Sequence, residues 1–196
     1  MDQKIIAAFD FDGTLTKRDT LIPFGLFVLG FTRWIFALIL LLPSVLLFCL
    51  FLIDRKRLKE KLLTLFFGGM PYAELEERAA LFVEQKIPNL LNKKGMEELH
   101  KHQQEKHLTI LVSASPDIYL IPFAKKYGID AVLGSKLATK EGVITGLLEG
   151  ENCRGAEKVR RLQNYLGAEK NYFLYAYGDS AGDHELLQFA DKGCFR

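Results

Sequence analysis

The sequence predicts an α/β fold in which helices cover both faces of a mostly parallel sheet. Three short apolar runs have the composition of buried parallel strands, and helical patterns lie between them. The runs are residues 5–9, 109–112 and 172–177, and each is followed at once by a polar turn. Strands that alternate with helices in this way are typical of a Rossmann-like, doubly wound parallel sheet.

The helices are predicted from their start and stop signals. Residues 95–106 form a helix ahead of the second strand, and residues 155–166 form another ahead of the third. Ser115 is interpreted as the N-cap of a further helix that runs towards Tyr127, because Pro follows it at the first helical position.

About ninety residues separate the first strand from the second, which is far more than one crossover helix needs. We therefore expect a helical cap over residues 15–94, inserted into a core made of residues 1–14 and 95–196. The second half of the cap carries an amphipathic helical pattern.

Composition excludes several classes of protein. A net charge of +2 without a long basic tract argues against a nucleic-acid partner. The three cysteines have no metal-site spacing and are odd in number, so a reducing compartment without disulfides is expected. The histidines His100, His102 and His107 also lack a metal-site spacing and are interpreted as solvated. The oligomeric state stays open.

Four carboxylates follow two of the predicted strands. Asp10 and Asp12 come directly after the first strand, and Asp179 and Asp183 come after the last. Carboxyl ends of parallel strands meet at one edge of a sheet, where such folds bind ligands. Carboxylates brought together there repel unless a cation is present, and oxygen ligands without His or Cys favour Mg²⁺. The alternative, that Asp10 and Asp12 only cap the next element, explains fewer of these residues.

The residues that follow the strands resemble the four motifs of the haloacid dehalogenase superfamily phosphatases. The matching segments are Asp10-Phe11-Asp12-Gly13-Thr14, Ser113, Lys158, and the turn from Gly178 to Asp183. The order and spacing of these motifs match those phosphatases, with a type 1 cap between the first two motifs. The resemblance covers nearly the whole chain. The resemblance implies a phosphatase that uses an aspartyl-phosphate intermediate and Mg²⁺.

The resemblance also implies a role for each matched residue. Asp10 is the expected nucleophile, and Asp12 is the expected general acid and base. Ser113 and Lys158 are expected to bind the phosphoryl group and to neutralise its charge. The expected metal ligands are Asp10, Asp179, Asp183 and, through its backbone carbonyl, Asp12.

A nearly uncharged block, residues 20–53, carries Arg33 as its single charge. A helix that is apolar all round is either deeply buried or in contact with lipid. Two full crossings of a bilayer need about 40 residues, more than the block provides, yet the catalytic motifs on either side must meet. We therefore expect a re-entrant or interfacial segment that bends near Pro43, with a hydrophobic dimer interface as the alternative.

The apolar block bears on the expected substrate. Within the superfamily, the chain is similar to subfamily IB and to its phosphatidylglycerophosphatases, which implies hydrolysis of phosphatidylglycerophosphate to phosphatidylglycerol. Arg18 is a candidate for binding the lipid headgroup. The membrane surface is then a partner, and the cytoplasmic face of the cell membrane is the expected location.

The alternative is a cytoplasmic enzyme of the phosphoserine phosphatase type that acts on a small phosphomonoester. Asp19 lies where that family carries an acidic residue for the substrate amine. Ser113-Ala114-Ser115 departs from that family's Ser-Gly-Gly, which weakens this reading. A catalytically inactive membrane-bound module is a third hypothesis, and the four intact motifs count against it.

Overall fold

Six strands form one sheet in the computed structural model, which describes residues 4–167 and 171–195. The strands are β1 (Lys4–Phe9), β2 (Leu108–Pro116), β3 (Ala131–Lys140), β4 (Val143–Glu149), β5 (Tyr172–Gly178) and β6 (Lys192–Phe195). Their order is β4-β3-β2-β1-β5-β6, and only β3 and β4 pair antiparallel among the described strands. The predicted α/β architecture with a mostly parallel sheet is therefore confirmed.

Nine helices are described around this sheet. Five of them lie between β1 and β2: α1 (Leu21–Leu29), α2 (Phe31–Cys49), α3 (Arg55–Phe67), α4 (Tyr72–Gln85) and α5 (Ile87–Leu90). The others are α6 (Lys93–Gln104), α7 (Asp117–Tyr127), α8 (Ala156–Leu166) and α9 (His184–Phe189). The predicted helical insertion is thus present, while its division from the core at residues 14/15 and 94/95 stays a prediction.

The central strands are apolar on both faces because helices cover both. In β1, Ala7 and Phe9 join one buried cluster, which also holds the apolar faces of α6 and α7. Ile6 and Ala8 join the opposite cluster with side chains of α8 and α9. Side chains alternate between the faces of a strand, so one short run of apolar residues supplies both clusters.

The insertion meets the core at a neck where its two chain crossings lie side by side. The amide of Lys17 donates to the carbonyl of Leu90 at 2.8 Å, and the amide of Asn92 donates to the carbonyl of Leu15 at 2.9 Å. Beyond the neck, α3 packs against β4. A Cβ added at Gly146 of β4 would lie 2.3 Å from Cα of Thr64, so this contact needs glycine.

The apolar block forms α1 and α2, and the break between them differs from the prediction. Helix α2 runs without interruption through Pro43, so the prediction that the helix breaks there is wrong. The chain turns instead at Gly30, whose φ of +72° is a left-handed conformation that favours glycine.

Helix α2 buries little of its surface. By length and composition it is the one helix among the described residues that is long and apolar enough to cross a membrane. Ala37 and Leu41 are its buried residues. Its largest exposed side chains include Phe31, Phe36, Ile39, Leu42 and Leu46.

Candidate active site

The three predicted motif-bearing strands end side by side at the middle of the sheet. Phe9 of β1 pairs with Leu111 of β2 on one side and with Tyr177 of β5 on the other. Asp10 follows directly, and its amide donates to the carbonyl of Tyr177 at 2.9 Å. The backbone of the sheet thus fixes Asp10 between the segments that carry Ser113 and Asp179.

Lys158 lies in the first turn of α8 and its side chain is only 2% exposed. Its Nζ donates to Asp10 Oδ1 at 2.6 Å and to Asp183 Oδ1 at 2.5 Å. Burial lowers the pKa of Lys158, but the carboxylates of Asp10 and Asp183 together raise it by more. The net pKa therefore lies above the usual value. The lysine is therefore a buried ammonium group that joins the first motif to the last.

Three carboxylates lie together at this point. One oxygen each of Asp10, Asp179 and Asp183 can be chosen so that all lie within 4.8 Å of one another. Burial, followed by neighbouring carboxylates, raises the pKa of Asp179. Burial also raises the pKa of Asp183, but Lys158 and Ser180 lower it more, so its net pKa is below the usual value.

The carboxylate cluster has the donor set of a divalent cation site. Asp179 Oδ1 is buried and has no hydrogen-bond partner, although a buried carboxylate oxygen normally has one. A Cβ added at Gly13 would lie 1.9 Å from Asp179 Oδ2, so glycine leaves the space that this carboxylate occupies. Oxygen ligands of this charge fit Mg²⁺.

The carboxylate of Asp12 has a different set of contacts. Its Oδ1 accepts from the amide of Thr20 at 2.9 Å and from the Thr20 hydroxyl at 2.7 Å, and its Oδ2 accepts from Ser115 Oγ at 2.5 Å. Burial and then the nearby Asp19 carboxylate raise the pKa of Asp12 to about 7. A carboxyl group with this pKa can both give and take a proton near neutrality.

Ser115 is not the helix cap that its sequence context predicts. Strand β2 continues through Pro116, and α7 begins at Asp117 without a side-chain cap. Ser115 instead donates to Asp12, and its amide donates to Ser113 Oγ at 3.2 Å. The second motif is therefore an extended strand end that places both serines in the site.

A cavity of about 310 Å³ joins the predicted site residues. Its lining contains every residue proposed for catalysis, metal binding or headgroup binding: Asp10, Asp12, Arg18, Ser113, Lys158, Asp179 and Asp183. Lys17 and Arg154 add two further cations, and Arg154 has no sequence signal beyond its position near Lys158. The cavity therefore combines carboxylates with cationic groups suited to a phosphate.

A second cavity of about 390 Å³ borders the first and shares Asp12, Asp19, Ala114 and Arg154 with it. The insertion contributes five apolar side chains to its lining: Leu21, Ile22, Leu41, Leu58 and Leu62. A ligand held at Asp10 can thus extend its other end towards leucine side chains.

Sequence reasoning misses two residues of the insertion that reach the site. Lys59, which reads as one of several basic residues flanking the apolar block, donates to the carbonyl of Ala114 and to Asn152 Oδ1. Burial lowers its pKa to about 8. Thr20 binds Asp12 as described, yet neither residue belongs to a motif. Both contacts depend on how the insertion docks, which no local pattern encodes.

Comparisons with known proteins agree with this geometry. A family model described as haloacid dehalogenase-like hydrolase matches residues 7–188. The chain is 35% identical to Protein CicA of Caulobacter vibrioides over 195 residues, covering 99% of this chain and 86% of that protein. It is 29% identical to a phosphoserine phosphatase of Wolinella succinogenes over 137 residues, covering 64% of this chain and 66% of that protein.

Solved structures share the fold at lower identity. A protein of unknown function from Bordetella pertussis Tohama I superposes with a TM-score of 0.80 at 21% identity, covering 96% of this chain and 87% of that one. A phospho-aspartyl intermediate analogue of phosphoserine phosphatase superposes with a TM-score of 0.67 at 19% identity, covering 96% and 84%. With its motifs gathered in one cavity and its family model matched over most of its length, the chain belongs to the haloacid dehalogenase-like hydrolases.

Proposed function

We propose that the chain is a Mg²⁺-dependent phosphomonoester hydrolase that forms an aspartyl-phosphate on Asp10. The observation that carries this proposal is the buried ammonium of Lys158 between Asp10 and Asp183, beside the unpartnered oxygen of Asp179. A phosphoserine phosphatase of similar fold has been solved as a phospho-aspartyl intermediate analogue, which supports the same intermediate here.

The chain's residues supply two displacement steps. A carboxylate oxygen of Asp10 attacks phosphorus, the bond from phosphorus to the ester oxygen breaks, and Asp12 gives its proton to the departing oxygen. In the second step Asp12 takes a proton from water, whose oxygen attacks phosphorus and breaks the bond to Asp10. Ser113 donates a hydrogen bond to the phosphoryl group, and Lys158 neutralises charge on it.

Asp10, Asp179 and Asp183 would hold Mg²⁺, with the backbone carbonyl of Asp12 as the further ligand that the family resemblance implies. When bound, the ion neutralises charge on the carboxylates and on the phosphoryl oxygens. The buried, unpartnered Asp179 Oδ1 supports this assignment.

Replacement of Asp10 by Asn tests the mechanism. Phosphate release from a chromogenic phosphomonoester in the presence of Mg²⁺ should fall at least about a thousandfold, because the nucleophile is lost. The variant should unfold at a temperature close to that of the unmodified protein. Activity that survives in a folded Asp10→Asn protein would contradict the aspartyl-phosphate.

The comparisons support a small phosphomonoester substrate better than a lipid. The relatives with a printed activity are phosphoserine phosphatases, which fit a cytoplasmic enzyme. Asp19 lines both cavities, as a residue that meets a substrate amine would. Its Oδ1 also accepts hydrogen bonds from the amides of Leu21 and Ile22, so the same carboxylate binds backbone amides at the start of α1.

A second candidate substrate is phosphatidylglycerophosphate, supported by the apolar cavity beside the catalytic one. A lipid phosphate bound near Arg18 could place the rest of the molecule along Leu58 and Leu41. The exposed apolar surface of α2 is compatible with a location at the cytoplasmic face of the cell membrane.

One experiment separates the two substrates. Phosphate release from phosphoserine and from phosphatidylglycerophosphate in mixed micelles is measured at the same Mg²⁺ concentration. Asp19→Asn should lower activity on phosphoserine if that amine is recognised. Leu58→Gln should lower activity on the lipid alone if the apolar cavity binds it, and Ile121→Gln, at an exposed site on α7, is the matched control.

A further inference from the structure

A second group of metal-ligating side chains lies at the end of α6, outside the catalytic cavity. Ligand atoms of His102, Glu105 and His107 all lie within 4.8 Å of one another. His102 is only 3% exposed, so the expectation that it is solvated is wrong. The side chain of His107 is 12% exposed, whereas Glu105 reaches solvent.

The turn after α6 brings the two imidazoles together. The amide of His107 donates to the carbonyl of His102 at 2.9 Å, and Lys106 between them has a φ of +57°. This reversal places His102 Nδ1 2.7 Å from His107 Nδ1, with Glu105 Oε2 3.5 Å from the same His107 nitrogen. A spacing of five residues gives no helical face in common, so the sequence alone does not reveal the pair.

A hydrogen bond to Tyr177 occupies Nε2 of His102 and leaves Nδ1 facing His107. Tyr177 Oη lies 2.9 Å from His102 Nε2 and donates to Glu98 Oε2 at 3.4 Å. The Tyr177 hydroxyl is thus a hydrogen-bond partner of Nε2, on the side of the ring away from His107. Metal-ligating histidines typically have such a partner behind them.

We propose that His102 Nδ1, His107 Nδ1 and Glu105 bind a Zn²⁺ ion. Two imidazoles and a carboxylate are a ligand set that zinc uses, and the fourth position is left to water. Zinc bonds of about 2.0–2.1 Å in a tetrahedron separate two nitrogens by about 3.3 Å, so the two rings must part from 2.7 Å and turn their lone pairs towards the ion. The ion replaces the one proton that the facing nitrogens share.

A cavity of about 240 Å³ lies beside His102 and Glu105. Glu98 and Glu105 line it, and their charges balance those of Lys101 and Lys192 in the same wall. The charged side chains beside the site therefore carry no net positive charge that would repel a cation.

The zinc site would act on the fold rather than on the substrate. The ring of Tyr177 stacks on the ring of Phe9 with centroids 4.6 Å apart. Phe9 directly precedes Asp10, and Tyr177 lies two residues before Asp179. An ion that fixes the end of α6 against these rings stabilises the two strands from which the catalytic carboxylates emerge.

Zinc titration of tag-free protein in saturating Mg²⁺ tests the proposal. One equivalent should bind, Co²⁺ should give a tetrahedral absorption spectrum, and the unfolding temperature should rise by about 5 °C or more. The double variant Glu105→Gln, His107→Ala should lose all three effects. Its Mg²⁺-dependent phosphatase activity without zinc should be unchanged.

Two further variants make the result specific. His100→Ala, at an exposed histidine of the same helix, should bind zinc like the unmodified protein. Tyr177→Phe keeps the ring but removes the hydroxyl, and should weaken zinc binding by about tenfold or more. Absence of bound zinc in the unmodified protein overturns the proposal. So does zinc binding that survives in the double variant and disappears in Asp179→Asn, because the ion would then occupy the catalytic carboxylates.

Discussion

Lys158 shows how one buried side chain serves both stability and chemistry. Its ammonium holds Asp10 and Asp183, which burial would otherwise leave as neighbouring unpaired charges. Removal of one member of such a buried group is costly because the remaining charges stay desolvated. The residue therefore couples the folding of α8 to the state of the catalytic carboxylates.

Replacement of Lys158 by Met tests this coupling. Without divalent cations, the free energy of unfolding should fall by about 3–5 kcal/mol, measured by urea denaturation. Added Mg²⁺ should recover part of the loss if the ion binds at Asp10 and Asp183, since it supplies the missing positive charge. A loss of stability that is the same with and without Mg²⁺ would speak against that ion position. Phosphatase activity measured with Mg²⁺ should fall as well.

Glu157, the neighbour of Lys158, gives a pH-dependent prediction. Hydrogen bonds from Arg160 and Arg161 outweigh burial and hold the pKa of Glu157 at about 2, below its usual 4.5. A lowered folded-state pKa contributes stability that is complete above the unfolded pKa and is lost as the pH falls towards about 2.

Glu157→Gln should therefore lower the free energy of unfolding by about 1 kcal/mol at pH 7. The difference from the unmodified protein should shrink as the pH falls below 4.5, the usual pKa of the group. Chemical denaturation at a series of pH values measures this. A difference that stays constant down to pH 3 would show that the ion pairs contribute nothing.

At the scale of elements, two glycines with positive φ allow the cost of backbone strain to be told apart from the cost of a steric clash. Gly30 and Gly146 both have positive φ, +72° and +86°. A Cβ at Gly30 meets nothing within 4 Å, whereas one at Gly146 meets the backbone of α3. Gly30 also has a ψ of 164°, a combination that is essentially restricted to glycine, so alanine there should cost about 1–3 kcal/mol through backbone strain alone.

Alanine at Gly146 should cost at least about 1–3 kcal/mol more, because α3 has to move away from β4. It should also reduce phosphatase activity, since α3 carries Lys59. Equal destabilisation by the two substitutions, measured by thermal unfolding, would mean that the contact of α3 with β4 is not tight.

Lys59 itself provides a test of how the insertion meets the core. Lys59→Met removes the bonds to Ala114 and Asn152 beside the catalytic serines and should lower kcat/KM roughly tenfold. Lys61→Met, on the exposed side of the same helix, should have no such effect. Similar activities of the two variants would show that the hydrogen bonds of Lys59 do not contribute to activity.

The elements of the core were predictable because each carries its own signal. The strand before Asp10 and the strand before Asp179 are short apolar runs, and buried strands need little else. Serine before proline usually begins a helix, which predicts that Ser115 is an N-cap. Pairing with β3 instead keeps β2 extended through Pro116. A proline inside a helix removes one backbone hydrogen bond, which favours a helix break at Pro43, yet α2 continues through Pro43 and the chain turns at Gly30.

At the scale of the whole molecule, the apolar residues of α2 are evident in the sequence and remain largely exposed in the fold. Leu41 faces the cavity beside the active site, while Phe36, Leu42 and Leu46 are exposed. Both parts belong to one helix, so a surface that covers α2 would lie close to the mouth of the site.

Flotation with vesicles containing anionic lipid tests whether that surface is a bilayer. The unmodified protein should float with the vesicles if the phospholipid hypothesis holds, and Phe36→Ser, Leu42→Ser, Leu46→Ser should not. The triple variant should keep its activity on a soluble chromogenic ester. An unmodified protein that stays entirely in the soluble fraction would favour the small phosphomonoester.

The neck of the insertion also has a consequence for how such a chain can vary. Because Leu15 and Asn92 are hydrogen-bonded neighbours, the length of chain between them does not alter the distance from Asp10 to Ser113. Segments of very different size and polarity can be grafted at this junction while the reaction chemistry stays unchanged. An apolar insertion can thus be exchanged for a polar one, and substrate specificity can change while the catalytic residues stay the same.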